Sequence, residues 1–182
     1  GVFLSTNNGS NWTAVGFFCD LMGDTVGVIS LATVGQNIFA GTNGCGMFFS
    51  SNNGSSWTAI NNGLINNYTG GPIYVIPSLI TNGTNIFAGT FSGVYLSQNN
   101  GSSWTAVNDG FNTHFDWIGI ESLIISESKI IAGTDTVGVW MRELSEIIGI
   151  NEIGQNNSFS LYPNPITSFS TLRINTTIKN GE

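Results

Sequence analysis

Short apolar runs separated by Asn, Gly and Ser recur at a regular spacing along most of this 182-residue chain. Paired runs stand at Val28–Val34 with Asn37–Thr42, at Ile76–Ile80 with Asn85–Thr90, and at Ser122–Ser126 with Lys129–Thr134. Each pair leads into a glycine followed by a hydrophobic and an aromatic residue, and the chain opens on the same phrase, Gly1-Val2-Phe3. Runs this short, bounded by turn-forming residues, predict β-strands rather than helices.

An eight-residue box, Ser-x-Asn-Asn-Gly-Ser-x-Trp, occurs three times. Its recurring residues are Ser5, Asn7, Gly9 and Trp12, then Ser50, Asn52, Gly54 and Trp57, then Ser97, Asn99, Gly101 and Trp104. Asn-Asn-Gly between apolar runs is typical of a hairpin turn, because Asn and Gly tolerate positive φ. Each box leads into Thr-Ala-Val or Thr-Ala-Ile, a fourth strand, and successive tryptophans are 45 and 47 residues apart. Units of this length with four strands predict an all-β protein built of four-stranded antiparallel β-propeller blades.

The boxes resemble the Asp-box, or bacterial neuraminidase repeat, of sialidases, xyloglucanases and sortilin-type receptors, and the resemblance covers roughly residues 1–142. It implies that each box forms the turn between the third and fourth strands of a blade, with the tryptophan packed beneath. Asn7, Asn52 and Asn99 stand where the family usually has Asp. Asn keeps the acceptor oxygen that such a turn needs. The resemblance therefore implies a structural role for this position, and neither calcium binding nor catalysis.

The repeat begins and ends partway through a unit. Gly1-Val2-Phe3 corresponds to a third strand, and no box follows Gly138-Val139-Trp140. A propeller needs about four blades to close. We therefore expect residues 1–142 to be a partial propeller, the C-terminal part of a larger one.

The composition changes after this point, and residues 143–157 are predicted to be a linker. Residues 158–182 carry Leu161, Tyr162, Pro163, Asn164 and Pro165, followed by an alternating run from Thr171 to Asn175. This short β tail resembles the start of the C-terminal sorting domain of the type IX secretion system. The resemblance implies export across the outer membrane of a Gram-negative bacterium, with the secretion machinery as a partner. The alternative is a proline-rich turn between domains.

Only 8% of the residues are charged, against about 25% in ordinary globular domains, and the net charge is −7. Four basic residues form no patch that could neutralise phosphates, so nucleic acid is excluded as a partner and anionic membranes are disfavoured. No apolar run approaches the length of about eighteen residues that a membrane span requires. Cys19 and Cys45 either form a disulfide or remain two thiols.

The loops that join successive blades lie opposite the boxes and rim the central channel, where propellers usually bind. They are Gly16–Val26, Asn61–Tyr74 and Asn108–Ile118, together with the tight turns Asn43–Cys45, Phe91–Ser92 and Asp135–Val137. Within them Tyr68, His114, Asp116 and Trp117 are the candidate ligand-binding residues, because aromatic rings stack on sugars or peptides while polar groups orient them. The alternative is that Phe111, Phe115 and Trp117 fill the seam between blades.

The residues give little support for catalysis. A sialidase grips its substrate carboxylate with three arginines, whereas this chain has only Arg142 and Arg173. A xyloglucanase-like hydrolase needs two carboxylates across a glycosidic bond. Asp20, Asp24, Asp116 and Asp135 lie in suitable loops, and solvated loop acids are the alternative. One histidine cannot build a zinc site, so no metal, cofactor or catalytic residue is predicted.

We therefore expect a secreted or cell-surface β-propeller that acts as a binding or adhesion module for an extracellular glycan or protein. Two alternatives stay open: a polysaccharide-degrading hydrolase whose catalytic residues lie partly outside this chain, and a structural spacer on the cell surface. For the boxes we expect Trp12, Trp57 and Trp104 all to be buried, because their local sequences are nearly identical.

Overall fold

Short antiparallel β-strands make up nearly all of the regular structure. The structure is a computed structural model, and it describes residues 1–16, 18–19, 25–66, 69–111, 118–136, 138–148, 159–162 and 171–174. The chain divides into two units, Gly1–Ile147 and Ile148–Glu182. The blades, which we number in chain order, belong to the first unit.

In blade 1 the structure describes two antiparallel strands, which the first box connects. They are β1 (Val2–Leu4) and β2 (Thr13–Gly16), the third and fourth strands of the predicted unit. A two-stranded ribbon of β3 (Phe18–Cys19) and β4 (Thr25–Val26) follows in the loop before blade 2.

Blades 2 and 3 are complete four-stranded antiparallel sheets with strands in sequence order. Blade 2 contains β5 (Val28–Val34), β6 (Asn37–Thr42), β7 (Met47–Ser50) and β8 (Thr58–Ala59). Blade 3 contains β9 (Ser78–Asn82), β10 (Asn85–Thr90), β11 (Gly93–Ser97) and β12 (Thr105–Ala106). The outer pairs share one register, with Phe48 opposite Ala59 and Tyr95 opposite Ala106. The predicted four-stranded unit and the all-β propeller class are confirmed.

Blade 4 has three described strands, β13 (Ile120–Ser126), β14 (Lys129–Thr134) and β15 (Val139–Glu143), in that order across the sheet. A short helix, α1 (Leu144–Ile148), follows directly where the sequence indicated a linker. Leu144 is buried and its N–H donates to Ser128 O over 2.7 Å, which extends the β14–β15 ladder by one bond, and Arg142 of β15 pairs with Glu146 of the helix at 3.3 Å.

The second unit contains a two-stranded antiparallel ribbon. Its strands are β16 (Phe159–Tyr162) and β17 (Thr171–Ile174), with Phe159 opposite Ile174. Leu161 and Tyr162 of the predicted sorting motif therefore lie in β16, and Pro163, Asn164 and Pro165 lie outside the described residues.

One hydrogen-bond pattern closes all three box turns. The serine Oγ accepts the glycine N–H at 2.8–2.9 Å and donates to the Oδ1 of the first asparagine at 2.9–3.0 Å. That Oδ1 also accepts the N–H four residues later at 2.8–2.9 Å. The second asparagine adopts a positive φ of 54–55°. The turn needs an acceptor oxygen at the first asparagine, which Asn supplies as well as Asp.

Glycines in the Ala-Gly-Thr phrases allow successive blades to approach each other. A Cβ on Gly41 would lie 2.8 Å from the carbonyl oxygen of Ile76, which leads into the first strand of blade 3. A Cβ on Gly89 would lie 2.8 Å from Cγ2 of Ile120 in blade 4. A larger residue at either position would therefore push neighbouring blades apart.

Box tryptophans close the seams between blades. The Trp57 Nε1 donates to the carbonyl oxygen of Val15 at 2.9 Å, and the Trp104 Nε1 donates to that of Ile60 at 2.8 Å. Val15 and Ile60 hold the same place at the end of the preceding blade, directly after Thr-Ala. The indole therefore joins two blades instead of serving only its own turn.

This arrangement corrects the expectation that all three box tryptophans are buried. Trp104 is 4% exposed and Trp57 is half-buried, but Trp12 is 64% exposed, so the expectation is wrong for Trp12. Its hydrogen-bonded turn matches the others. The difference is that no described blade precedes blade 1 to cover the ring.

Replacing Trp104 with Ala should lower the free energy of unfolding by about 3–5 kcal/mol, because a large buried side chain and an inter-blade hydrogen bond are lost. Trp12→Ala removes the same side chain from an exposed position and should change the free energy of unfolding by less than about 0.5 kcal/mol. Urea denaturation of both variants measures the difference, and equal losses would contradict the seam role.

Candidate functional site

The described parts of two inter-blade loops contact tight turns at the end of the sheets opposite the boxes. The N–H groups of Gly44 and Gly46 donate to Tyr74 O at 2.9 and 2.8 Å, which joins a turn of blade 2 to the following inter-blade loop. In blade 3 the N–H of Gly93 donates to Ile118 O at 3.0 Å. Each of these two blades therefore presents a tight turn and an inter-blade loop on one rim.

The four predicted ligand-binding residues, Tyr68, His114, Asp116 and Trp117, lie outside the described residues, as do Asp20, Asp24 and Phe115. Asp135 is exposed, and its Oδ1 accepts hydrogen bonds from the Gly119 N–H and the Thr136 hydroxyl, both at 3.2 Å. Phe111 is half-buried, and its ring lies 5.5 Å from that of Trp140 in an edge-to-face contact. Phe111 thus contributes to the seam between blades 3 and 4.

Sequence reasoning missed two asparagines that hold the rim turns. Asn61 accepts the Met47 N–H at 2.7 Å and donates to Cys45 O at 3.2 Å. Asn108 makes the equivalent bonds in blade 3: it accepts the Val94 N–H at 2.8 Å and donates to Ser92 O at 2.9 Å. The available signal was an asparagine four residues after the tryptophan of the second and third boxes.

A recess of about 260 Å³ opens at the seam between blades 3 and 4, beside the loop that begins at Asn108. Its walls are mostly apolar and include Val94, Val107, Phe111, Ala132, Trp140 and Arg142. The volume is close to the lower end of the range for small-molecule sites, which are typically concave and apolar with a few polar groups.

The residues that line this recess hold the same positions in the repeat as residues that pack around a tryptophan in another seam. Between blades 1 and 2, the residues Val2, Val15, Ala40 and Phe48 pack together with Trp57. In the repeat these places correspond to Val94, Val107, Ala132 and Trp140. No box follows Trp140, so the repeat has no tryptophan equivalent to Trp57 at this seam.

The seam between blades 2 and 3 shows the same arrangement in its filled form. Met47, Ala88, Tyr95 and Trp104 belong to one buried cluster, with Ile60 packed against it. The Tyr95 hydroxyl donates to Ile65 O, and burial raises the pKa of this hydroxyl above its ordinary value. Compared with these two filled seams, the recess lacks the indole ring of a box tryptophan.

Arg142 reaches the main-chain acceptor that an indole N–H satisfies in the other seams. Its Nη1 lies 3.5 Å from the carbonyl oxygen of Val107, against 2.8–2.9 Å for the indole contacts. The same guanidinium pairs with Glu146 at 3.3 Å and with Asp109 at 4.0 Å. A guanidinium supplies a donor but not the area of an aromatic ring, so the space remains open.

Trp140 adds an unmet polar group to the recess wall. Its Nε1 is buried and has no hydrogen-bond partner in the described part of the chain. A buried donor without an acceptor is costly, and Trp140 lines the recess. Because the Nε1 atom is buried, solvent does not reach it.

The recess is bordered by two acidic groups and one basic group. Asp109 and Glu146 both pair with Arg142, which leaves a net charge of −1 among the three side chains. Among the described residues, no cluster of three or more His, Cys, Asp or Glu side chains could hold a metal ion. The described helical segment is too short to cross a bilayer.

No protein-family model and no curated protein matches this sequence. Among solved structures, it is similar to the extracellular domain of BT4673 from B. thetaiotaomicron, described in one structure as a hybrid two-component system and in another as a one-component system. The TM-scores are 0.58 and 0.55, at 20% and 18% identity. Both matches cover 89% of this chain and 22% of the other.

Two further matches have TM-scores below 0.5. PorZ of Porphyromonas gingivalis, described as a surface component of the type IX secretion system, scores 0.49 at 17% identity over 88% of this chain and 23% of PorZ. The GH74 enzyme of Niastella koreensis scores 0.46 at 21% identity over 64% of this chain and 20% of the enzyme. This chain thus spans about a fifth of the length of these structures, and at such identities the likeness of the better matches shows the fold alone.

Replacing Ala132 with Met should leave the free energy of unfolding unchanged or raise it by up to about 1 kcal/mol, because the new side chain enters open space. Ala88→Met puts the same side chain at the matching place in the filled seam around Trp104, where overpacking should cost about 1–3 kcal/mol. Urea denaturation compares the two variants. Equal losses would show that the recess is not vacant in solution.

Proposed function

We propose that this protein is a secreted or cell-surface β-propeller module that binds an extracellular glycan or protein at its channel rim. The observation that carries the proposal is the open recess beside the loop starting at Asn108, with Phe111 and Trp140 in its wall. Aromatic surface with a few polar groups is suited to ligand capture. Tyr68, His114, Asp116 and Trp117 belong to the rim loops by sequence, and we propose them as ligand contacts.

Binding is a better proposal than hydrolysis on the described chemistry. A glycosidase needs one carboxylate as acid and a second as base or nucleophile. Asp109 and Glu146 at the recess share one arginine, and Asp135 is hydrogen-bonded to the Gly119 N–H. These three carboxylates are thus engaged by a guanidinium or a backbone N–H within the protein.

Residues 158–182 support the proposal that the protein is exported, with residues 1–142 as the propeller and residues 143–157 as the connection. Leu161 and Tyr162 lie in β16, whose partner β17 contains the alternating run beginning at Thr171. We propose that this ribbon begins a type IX sorting domain and that the secretion machinery recognises it. The identity of residues 161–165 is the main support.

A glycan and peptide array probed with the whole chain tests the binding role. We expect retention of a neutral sugar or peptide, and Trp117→Ala should reduce it about tenfold, as loss of an aromatic anchor does. Trp12→Ala is the matched control, because it removes an exposed tryptophan from blade 1 and should leave retention unchanged. Retention that is indifferent to Trp117→Ala would contradict the proposed rim contacts, and no retention on any array would contradict the binding role.

Export can be measured separately in a type IX-competent host. Deleting the chain from Ser158 onward should leave the protein in the periplasm, whereas the intact chain reaches the medium or surface. Substituting Ser160 by Ala, a change of one hydroxyl beside the motif, serves as a control. Equal export with and without the tail would refute the sorting role.

A further inference from the structure

We infer that the Asn82-Gly83 pair in the β9–β10 hairpin is a site of spontaneous covalent modification, at which the asparagine amide is converted to a carboxylate. Seven Asn-Gly pairs occur in the chain, and the same chemistry is open in principle to each of them. The structure distinguishes Asn82-Gly83 from the other described pairs by what holds the glycine N–H. The β9–β10 hairpin lies at the box end of blade 3, opposite the channel rim, so the modification is independent of ligand binding.

The reaction joins two groups that are adjacent in the chain. The main-chain nitrogen of Gly83 forms a bond to Cγ of Asn82, loses its proton, and the side-chain amide leaves as ammonia, which produces a succinimide ring. Water then opens the ring at Cγ, giving an aspartyl residue, or at the main-chain carbonyl carbon, giving an isoaspartyl linkage. The net change converts an amide and water into a carboxylate and ammonium. Glycine permits the attack because it has no Cβ to hinder the approach.

In four other described pairs the glycine N–H is bound to an acceptor. In the three boxes it donates to the serine Oγ at 2.8–2.9 Å. At the rim the Gly44 N–H donates to Tyr74 O at 2.9 Å. The nitrogen can lose its proton and attack the side chain only after this hydrogen bond breaks, so the fold slows the reaction there. These pairs are Asn8-Gly9, Asn43-Gly44, Asn53-Gly54 and Asn100-Gly101.

The fifth pair, Asn62-Gly63, is held by its packing against blade 3. A Cβ on Gly63 would collide with the carbonyl oxygen of Trp104. The carbonyl oxygen of Asn62 accepts the Trp104 N–H at 2.9 Å, and its Nδ2 donates to Ser102 O at 3.3 Å. Ring closure would require the peptide between the two residues to turn against this main chain, so the pair is protected without a hydrogen bond to its glycine.

Neither restraint applies to Asn82-Gly83. Asn82 lies opposite Asn85 at the end of the ladder, so Gly83 and Thr84 form a two-residue turn, and both are exposed. Gly83 has a φ of 60°, and a Cβ built on it would have no atom of a non-neighbouring residue within 4 Å. No acceptor for its N–H is found among the described residues. Water therefore reaches the turn, and the nitrogen is available to attack.

The same hairpin in the neighbouring blades cannot react in this way. The residues equivalent to Asn82-Gly83 are Val34-Gly35 in blade 2 and Ser126-Glu127 in blade 4, as the hairpin registers show. Neither pair has a side-chain amide. Among the described first hairpins, the reactive pair is thus confined to blade 3.

The isoaspartyl product would disturb the end of this hairpin. It adds one carbon atom to the main chain beside the pair of Asn82 and Asn85. Asn85 is buried, and its Oδ1 accepts a 3.5 Å hydrogen bond from Gln98 at the start of the third box. We therefore expect the modification to loosen the box end of blade 3.

Peptide mapping by mass spectrometry of the whole chain, incubated in heavy-oxygen water, tests the inference. In the folded protein we expect Asn82 to convert at least about fivefold faster than any other described Asn-Gly pair, the factor that one hydrogen bond implies. The rate should rise with pH, because the glycine nitrogen must lose its proton. In urea the described pairs should convert at similar rates. A folded protein in which Asn82 is not the fastest, or an equal advantage of Asn82 in urea, would overturn the inference.

Two variants test the role of the glycine N–H. Asn82→Gln should abolish incorporation at this site, because the longer side chain closes a ring far more slowly. Ser5→Ala removes the acceptor of the Gly9 N–H in an exposed turn, and conversion at Asn8 should rise about fivefold while Asn82 is unchanged. Circular dichroism checks that both variants fold. An unchanged rate at Asn8 in folded Ser5→Ala would show that the hydrogen bond does not protect, which contradicts the basis of the site.

Discussion

The indole hydrogen bond across a seam is the contact that joins blade 1 to blade 2 and blade 2 to blade 3. A blade cannot bury both faces by itself, so it must share them with a neighbour. Trp57 donates to Val15 O and packs with Ala40 of its own blade, and Gly41 then admits Ile76 of the following blade. A seam therefore combines a bulky donor with small residues that leave room for it. The box turn is closed in all three copies, whereas the seam hydrogen bond is made by Trp57 and Trp104.

The sequence predicts the strands and turns well because they are set by local interactions. Alternating apolar runs, positive φ at the second asparagine of each box, and the Ser–Asn hydrogen bonds all lie within a few residues of one another. Burial of the tryptophans could not be predicted in the same way. Trp12 and Trp104 follow nearly identical boxes, yet they are 64% and 4% exposed, because the covering residue belongs to another blade.

The candidate site, too, could be predicted from the sequence only in part. Topology alone places the inter-blade loops and the tight turns at one end, since strands that alternate in direction must send alternate connections to the same side. The recess could not be found from any single residue, because Val94, Val107, Ala132 and Trp140 look like ordinary core positions. It becomes apparent only when those positions are compared with the seams around Trp57 and Trp104. The missing box after Trp140 was the one signal in the sequence, and it indicated an incomplete blade without indicating a space.

Arg142 supplies a hydrogen-bond donor to the seam between blades 3 and 4 but does not fill it. A buried indole covers on the order of 150–250 Å², and the guanidinium replaces its hydrogen bond without replacing that area. Arg142 is partly exposed and pairs with Glu146 and Asp109, so its long contact to Val107 O is a minor part of its interactions. Exposed ion pairs contribute little to stability. The seam between blades 3 and 4 therefore lacks the apolar burial that the indole ring provides in the two filled seams.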